Sequence, residues 1–303
     1  MFIVKKRIIF FILSFLLIAG SFGVIAQYGL NYGIDFKGGS ILEVTYVDVD
    51  GAVTPTLSEV KTILADTGLS NTLVSPRGEK GYVIKTRELS SEEKNGVIRA
   101  LTSEGTNPVA VEKFNAIGPV VGDELRSKAY VAIAVVLFCI ILFILFAFRK
   151  VKNPLNYGIA TIIALAHDVI IPTGIYVLWS QYTGAEIDLL FVSALLAILG
   201  YSVHDTIVVF DRVRENALKN AGVKNGLSFE EVVGKSVTET MAGSINTSLT
   251  TGITLLALYF IGGSATQNFA FILLAGIVVG TYSSIFIASP LLVTLEGFRN
   301  KNK

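Results

Sequence analysis

One cysteine among 303 residues, Cys139, excludes any internal disulfide, and its place in an apolar run makes it a packing residue. Histidine is almost as scarce: His167 and His204 are the only two. So few soft or imidazole ligands leave no metal-ligand cluster and no Cys/His nucleophile, and neither a cofactor nor an enzyme activity is expected. Charged residues make up only 16% of the chain and nearly cancel to a net +1, which excludes the broad basic surface that a nucleic acid partner requires. Between Glu239 and Phe298 there is no lysine or arginine at all. Gly234-Lys235-Ser236 ends like a phosphate-binding loop, but that motif needs a glycine at position 229, where Phe229 stands, so nucleotide binding is rejected.

What is abundant is apolar sequence, 52% of the chain, gathered into long runs that identify a polytopic helical protein of the lipid bilayer. Six transmembrane helices are expected near 8–28, 129–148, 155–179, 188–210, 240–262 and 268–292. The first run is longer than a signal-peptide core and is read as a span. Lys5, Lys6 and Arg7, then Arg149, Lys150 and Lys152, then Arg212, Arg214, Lys219, Lys224 and Lys235, then Arg299, Lys301 and Lys303 all fall on one side. The short loops Ser180 to Glu186 and Gly263 to Gln267 carry neither residue type, so the positive-inside rule predicts cytoplasmic termini. Three domains follow: the first helix at 1–28, an extracytoplasmic α+β domain at 29–128, and a five-helix membrane domain at 129–303. The last includes a cytoplasmic segment at 211–238, in which an amphipathic helix starting at the N-cap Ser228 is expected to lie along the inner surface.

In the extracytoplasmic domain, alternation over Ser40 to Val47, a helix over Leu57 to Thr67, a turn at Arg77-Gly78, a helix capped at Ser90 and a last strand over Ala110 to Phe114 give the order β-α-β-β-α-β. That order predicts a small ferredoxin-like sheet with a helical layer on one face. Where the first span meets this domain, Asp35, Lys37, Gly38 and Gly39 form a glycine-rich junction that either aims the domain or couples it to the membrane part.

The chemistry is expected inside the membrane domain. His167-Asp168 and His204-Asp205 interrupt the third and fourth spans, and a carboxylate near mid-bilayer costs about 2.5–3.5 kcal/mol on insertion scales, so each needs a partner, water or a task. The alternative for either pair is a hydrogen-bonded cluster that fixes helix packing. Ser244, Thr247, Ser248, Thr251 and Thr254 share one face of the fifth span, a polar stripe that glues helices or hydrates a proton path. Gly276, Gly280, Ser284 and Ala288, four apart in the sixth span, make a small-residue face for close helix contact.

Together, Gly33-Ile34-Asp35-Phe36-Lys37-Gly38-Gly39, Val121-Gly122-Asp123-Glu124-Leu125, Ala166-His167-Asp168-Val169, the run from Gly200 to Asn216, and Gly280-Thr281-Tyr282-Ser283-Ser284-Ile285 resemble SecF. SecF is the smaller subunit of the bacterial SecD–SecF accessory complex of the preprotein translocase, in the RND superfamily. The resemblance covers nearly the whole chain and implies half of an RND-like bundle. It implies a SecD partner, the SecYEG translocon with a YajC-like accessory subunit, unfolded preprotein on the far side, and use of the proton motive force. The family's proton-path aspartate maps onto Asp205. The family usually has asparagine where His204 stands and an arginine where Gly243 stands, so either His204, the nearest candidate, or a SecD residue replaces the missing cation, or the proton path is modified or impaired. The small-residue face of the sixth span is the expected seat for SecD. An RND-type exporter of small molecules or lipids, and a passive translocase scaffold, are the competing readings.

Overall fold

Two capping boxes start the helices of the α+β unit. The Thr56 and Ser90 side chains accept the backbone N–H groups of Glu59 and Glu93, whose carboxylates accept from the cap N–H groups at 2.7 and 2.8 Å. The helices they open, Leu57–Asp66 and Ser91–Leu101, alternate with four strands. These are β1 (Gly39–Tyr46), β2 (Leu73–Arg77), β3 (Gly81–Thr86) and β4 (Val109–Ile117), antiparallel in the order β2-β3-β1-β4. This is the expected ferredoxin-like arrangement. Leu42, Val44 and Tyr46, two apart on β1, pack with Val60, Leu64, Val97 and Leu101 of the helices into one apolar core. Pro76 sits in β2 at the sheet edge, where its missing N–H is tolerated.

The computed structural model describes residues 2–49, 53–70, 72–102, 107–151 and 153–301. Lys152 and Lys303, counted among the basic flanks, lie outside them. Two compact units emerge, residues 32–130, and residues 1–31 with 131–303.

One ionic contact gives the α+β unit a pH signature. A hydrogen bond from Arg87 at 2.5 Å, with the Ser90 N–H, holds the Glu93 carboxyl down at about 2. A folded-state value below the unfolded one stabilises above the ordinary carboxylate range and is lost as pH falls toward 2. Glu93→Gln is therefore expected to flatten the acid dependence of this unit's unfolding between about pH 4.5 and 2, read by circular dichroism. An unchanged acid limb contradicts this role.

Among the described residues, six helices are long and apolar enough to cross a membrane: Arg7–Tyr28, Pro119–Ala147, Pro154–Thr183, Leu189–Asn220, Phe229–Ile261 and Ala265–Phe298. The third, fourth and sixth bury 56%, 44% and 50% of their apolar windows and form the centre, against 11%, 6% and 11% for the first, second and fifth. Cys139, on the second helix, is exposed in this chain, so it does not pack in the core as expected. The helices outrun their apolar stretches because polar turns continue them: Asp123 pairs with Arg126 at 2.9 Å and Glu124 with Lys128 at 2.7 Å.

The surface helix expected after Ser228 is corrected. Ser228 does cap a helix, but that helix is the fifth span itself, continuous from Phe229 to Ile261. Val232, Val233 and Val237 are buried among the other spans, and no breaker stands between them and Thr240. Gly234-Lys235-Ser236 thus lies mid-helix, not in a loop. Arg7 and Glu230, 3.5 Å apart, bring the starts of the first and fifth helices to one end of the bundle. Asn31 bonds Ala185 and Ile187 at the other end, at 3.3 and 2.8 Å.

Candidate functional site

Asp205 lies deep in the bundle, 8% exposed, where the fourth helix meets the fifth and sixth. Its Oδ1 accepts from the Ser244 hydroxyl and its Oδ2 from the Ser284 hydroxyl. Behind Ser244, the Ser248 hydroxyl lies 2.5 Å from Thr281 Oγ1 and accepts from the Tyr201 hydroxyl at 3.0 Å. Among the described residues its hydrogen-bond partners are both hydroxyls, and such a pair fits a group that changes charge: each O–H can donate to a carboxylate and accept from a carboxylic acid.

A second carboxylate is fully buried on the third helix. Asp168 Oδ1 accepts from His167 Nδ1 at 2.8 Å, and its Oδ2 accepts from Ser202 and from Ser283, the latter at 2.6 Å. On the far side of the imidazole, Nε2 lies 3.1 Å from Ser14 Oγ of the first helix, and Ser14 contacts the Tyr282 hydroxyl at 3.3 Å. Pro172, four residues after Asp168, has no N–H for the Asp168 carbonyl and so leaves the helix without one ladder bond beside this carboxylate.

Several sequence-predicted members are elsewhere. His204 is exposed and joins neither carboxylate, because consecutive helical residues project about 100° apart and Asp205 takes the inward direction. It does not replace a cation at Asp205 within this chain. Thr247 is exposed and bonds its own helix at Gly243 at 3.0 Å, and Thr251 does the same at Thr247 at 2.9 Å. The polar stripe thus splits: Ser244 and Ser248 turn in, while Thr247 lies about 60° round from Ser244. Gly243 is open, with nothing within 4 Å of an added Cβ.

The small-residue face of the sixth helix is also corrected, because it is filled by the fourth helix of the same chain and offers SecD no seat. A Cβ on Gly276 would stand 2.2 Å from Ile198 Cδ1 and 2.9 Å from Cγ2; one on Gly280 would lie 3.2 Å from Ser202 Cβ. Gly276→Ala is expected to destabilise the bundle by about 1–3 kcal/mol, measured as thermal unfolding in lipid nanodiscs. An unshifted midpoint would mean that these helices are not pressed together there.

Ser14, Ser202, Tyr282, Ser283 and the carboxylate contact of Ser284 were not identified from sequence. Their signal was spacing: Ser202 precedes Asp205 by one turn, and two serines stand side by side at 283 and 284. The sixth helix makes a π turn over Ser284–Ala288, and at its start the adjacent Ser283 and Ser284, about 100° apart around the axis, meet different carboxylates.

The junction residues have a steric explanation. Ile34–Lys37 makes one helical turn that ends at Gly38 with φ +74°, and Gly39 follows at φ +129°. An added Cβ would meet Pro119 Cα at 2.8 Å from Gly38 and the Thr86 carbonyl at 2.7 Å from Gly39. Lys37 is exposed and Asp35 half-buried.

Comparison with known proteins places these features in a family. The profile described as Protein export membrane protein SecD/SecF, C-terminal, matches residues 97–297, and that of the SecD/SecF GG motif matches residues 23–47. A protein translocase subunit SecF from Thermobaculum terrenum is 42% identical, covering 97% of this chain and 93% of its own. Its counterpart from Anaerolinea thermophila is 36% identical over 99% and 96%. Among solved structures, SecDF from Thermus thermophilus, described as a translocon-associated membrane protein, aligns with a TM-score of 0.79 and 34% identity. The alignment covers 97% of this chain but 38% of that one.

Proposed function

The chain belongs to the SecD/SecF family of protein export membrane proteins, and we propose that it is the SecF-type subunit of a SecDF complex that draws on the proton motive force to assist preprotein export. The observation that carries this reading is Asp205, a carboxylate inside the bundle with a shell of hydroxyls shared by three helices. Ionised, it accepts from Ser244 and Ser284; protonated, it becomes a donor and at least one of those hydroxyls must turn. Proton uptake thereby changes the contacts that join the fourth helix to the fifth and sixth, and a proton supplied on one side and released on the other biases helix arrangement.

In this reading the bundle sits in the bacterial cytoplasmic membrane with both termini inside, in line with the basic residues that flank the helix ends. The α+β unit works outside on emerging unfolded preprotein, and Asp35 to Gly39 is the junction that links it to the first span. The solved SecDF chain is more than twice as long as the part this chain matches, which favours a SecD-type partner supplying the other half. SecYEG and a YajC-like subunit complete the assembly.

The test is export in membrane vesicles with the proton gradient intact or collapsed. Wild-type protein is expected to stimulate export only with the gradient, and Asp205→Asn to give the collapsed-gradient level in both conditions. Gradient-dependent stimulation that persists in Asp205→Asn makes the chain a scaffold, while a drug-sensitivity phenotype with normal export favours the small-molecule exporter.

A further inference from the structure

The two buried carboxylates are built alike and share parts. Each takes one hydroxyl from the sixth helix, and these come from adjacent residues: Ser283 serves Asp168 and Ser284 serves Asp205. On the fourth helix, Ser202, which serves Asp168, stands one turn before Asp205 itself. We infer that Asp168 with His167 is a second proton-binding site, coupled to Asp205 through Ser283-Ser284, so that the two sites take up and release protons in dependence on one another. The inference rests on the reading of Asp205 as a proton carrier.

Both serines have a second acceptor, which makes them rotors. Ser284 Oγ lies 3.0 Å from the Thr281 carbonyl, and Ser283 Oγ lies 3.1 Å from the Gly280 carbonyl. When a proton binds Asp205, the new O–H donates to Ser284 Oγ and the Ser284 hydrogen turns from the carboxylate to Thr281. Release reverses both movements. Ser283 also has a second acceptor beside Asp168, so neither protonation state leaves a buried donor without an acceptor.

The imidazole extends the second site to the first helix. With His167 neutral and protonated on Nδ1, its Nε2 accepts from Ser14. With His167 cationic, Nε2–H donates to Ser14, which turns to Tyr282, and the Tyr282 hydroxyl donates to the Phe10 carbonyl at 3.2 Å. One added proton thus takes the His167-Asp168 pair from a net negative charge to neutrality, as it does Asp205. It also reverses the hydrogen bonds by which the first helix is held.

The surroundings set the sign of the coupling. Facing Asp168 are His167 from its own helix, Ser202 from the fourth and Ser283 from the sixth; Ser14 and Tyr282 reach it only through His167. Facing Asp205 are Ser244 of the fifth helix and Ser284 of the sixth. His204 is exposed, and Arg212, Lys235 and Glu239 pair with one another and with Glu215 nearer the helix end. Among the described residues no permanent cation pairs with either carboxylate, so ionisation of one disfavours ionisation of the other. A proton on either therefore eases its loss from the other.

Infrared difference spectroscopy of the intact complex in liposomes, following the protonated-carboxyl band of Asp205 and the imidazolium band of His167 with pH, tests this. Wild type is expected to show both bands. Asp168→Asn, which leaves the imidazolium without its counter-ion, should remove the imidazolium band and move the Asp205 midpoint down by about one pH unit, a tenfold fall in proton affinity. His167→Gln, which spares the carboxylate, should also remove the imidazolium band and move the Asp205 midpoint. In a Ser283→Ala, Ser284→Ala background the effect of Asp168→Asn on Asp205 should shrink. An Asp205 midpoint unmoved by both Asp168→Asn and His167→Gln overturns the proposal. Because the spectrum reads protons and not export, a coupled pair whose loss spares gradient-driven export would sink the functional reading alone.

Discussion

Asp205→Asn is expected to abolish gradient-driven export and at the same time to leave the protein as stable as wild type or more so. The two effects have one cause. Asparagine keeps the size of the side chain and can still bond Ser244 and Ser284, but it removes a carboxylate whose burial in a membrane costs about 2.5–3.5 kcal/mol. Unfolding in nanodiscs should therefore shift upward or not at all. Asp205→Glu keeps the titratable group but pushes a longer chain into a site closed by two helices, so it should retain part of the activity at some loss of stability. A carboxylate kept only for packing predicts the opposite for Asp205→Asn, a protein that exports normally and unfolds earlier.

Gly39→Ala is expected to cost the α+β unit about 2–5 kcal/mol, a large share of the stability of a small unit. Two penalties add. At φ +129° the backbone is in a region that side chains rarely adopt, and the new methyl would stand 2.7 Å from the Thr86 carbonyl, a backbone atom in a paired strand that cannot swing aside. Gly78→Ala provides the control, since Gly78 also has a positive φ, +63°, but nothing within 4 Å of its added Cβ. That change should cost only about 1 kcal/mol. Limited proteolysis of the two variants ranks them. Equal protease resistance would remove the steric argument and leave the glycine pair to be explained by motion at the junction.

The parts legible in sequence were those decided by neighbours along the chain. Thr56 with Glu59 and Ser90 with Glu93 announce helix starts within four residues, and the alternation of Leu42, Val44 and Tyr46 announces a strand, so the β-α-β-β-α-β order could be read directly. Six apolar runs likewise mark six spans, but not their ends, because pairs such as Glu124 with Lys128 carry a helix past its apolar stretch. The site was legible in its carboxylates, whose cost in a membrane singles them out wherever they point, and in His167, Ser244 and Ser248, which lie beside them. Which neighbours they meet depends on helix rotation and tertiary contact. His204 is beside Asp205 in sequence yet turned away, whereas Ser284, 79 positions distant, touches it. Ser284 reads as a small residue for packing, and it is that too; its hydroxyl, like those of Ser202 and Ser283, gains a role at the carboxylates only once the helices are assembled. The vacant position at Gly243 shows that, within this chain, the resemblance to the family stops short of the cation expected opposite Asp205.

The most direct measurement is proton flux itself, followed with a pH-sensitive dye inside proteoliposomes that hold the complex and face an imposed proton or sodium gradient. Wild-type complex is predicted to pass protons down the gradient when unfolded preprotein is supplied, and Asp205→Asn to pass none. Proton flux of wild-type size through Asp205→Asn, or flux that follows sodium alone, contradicts the account.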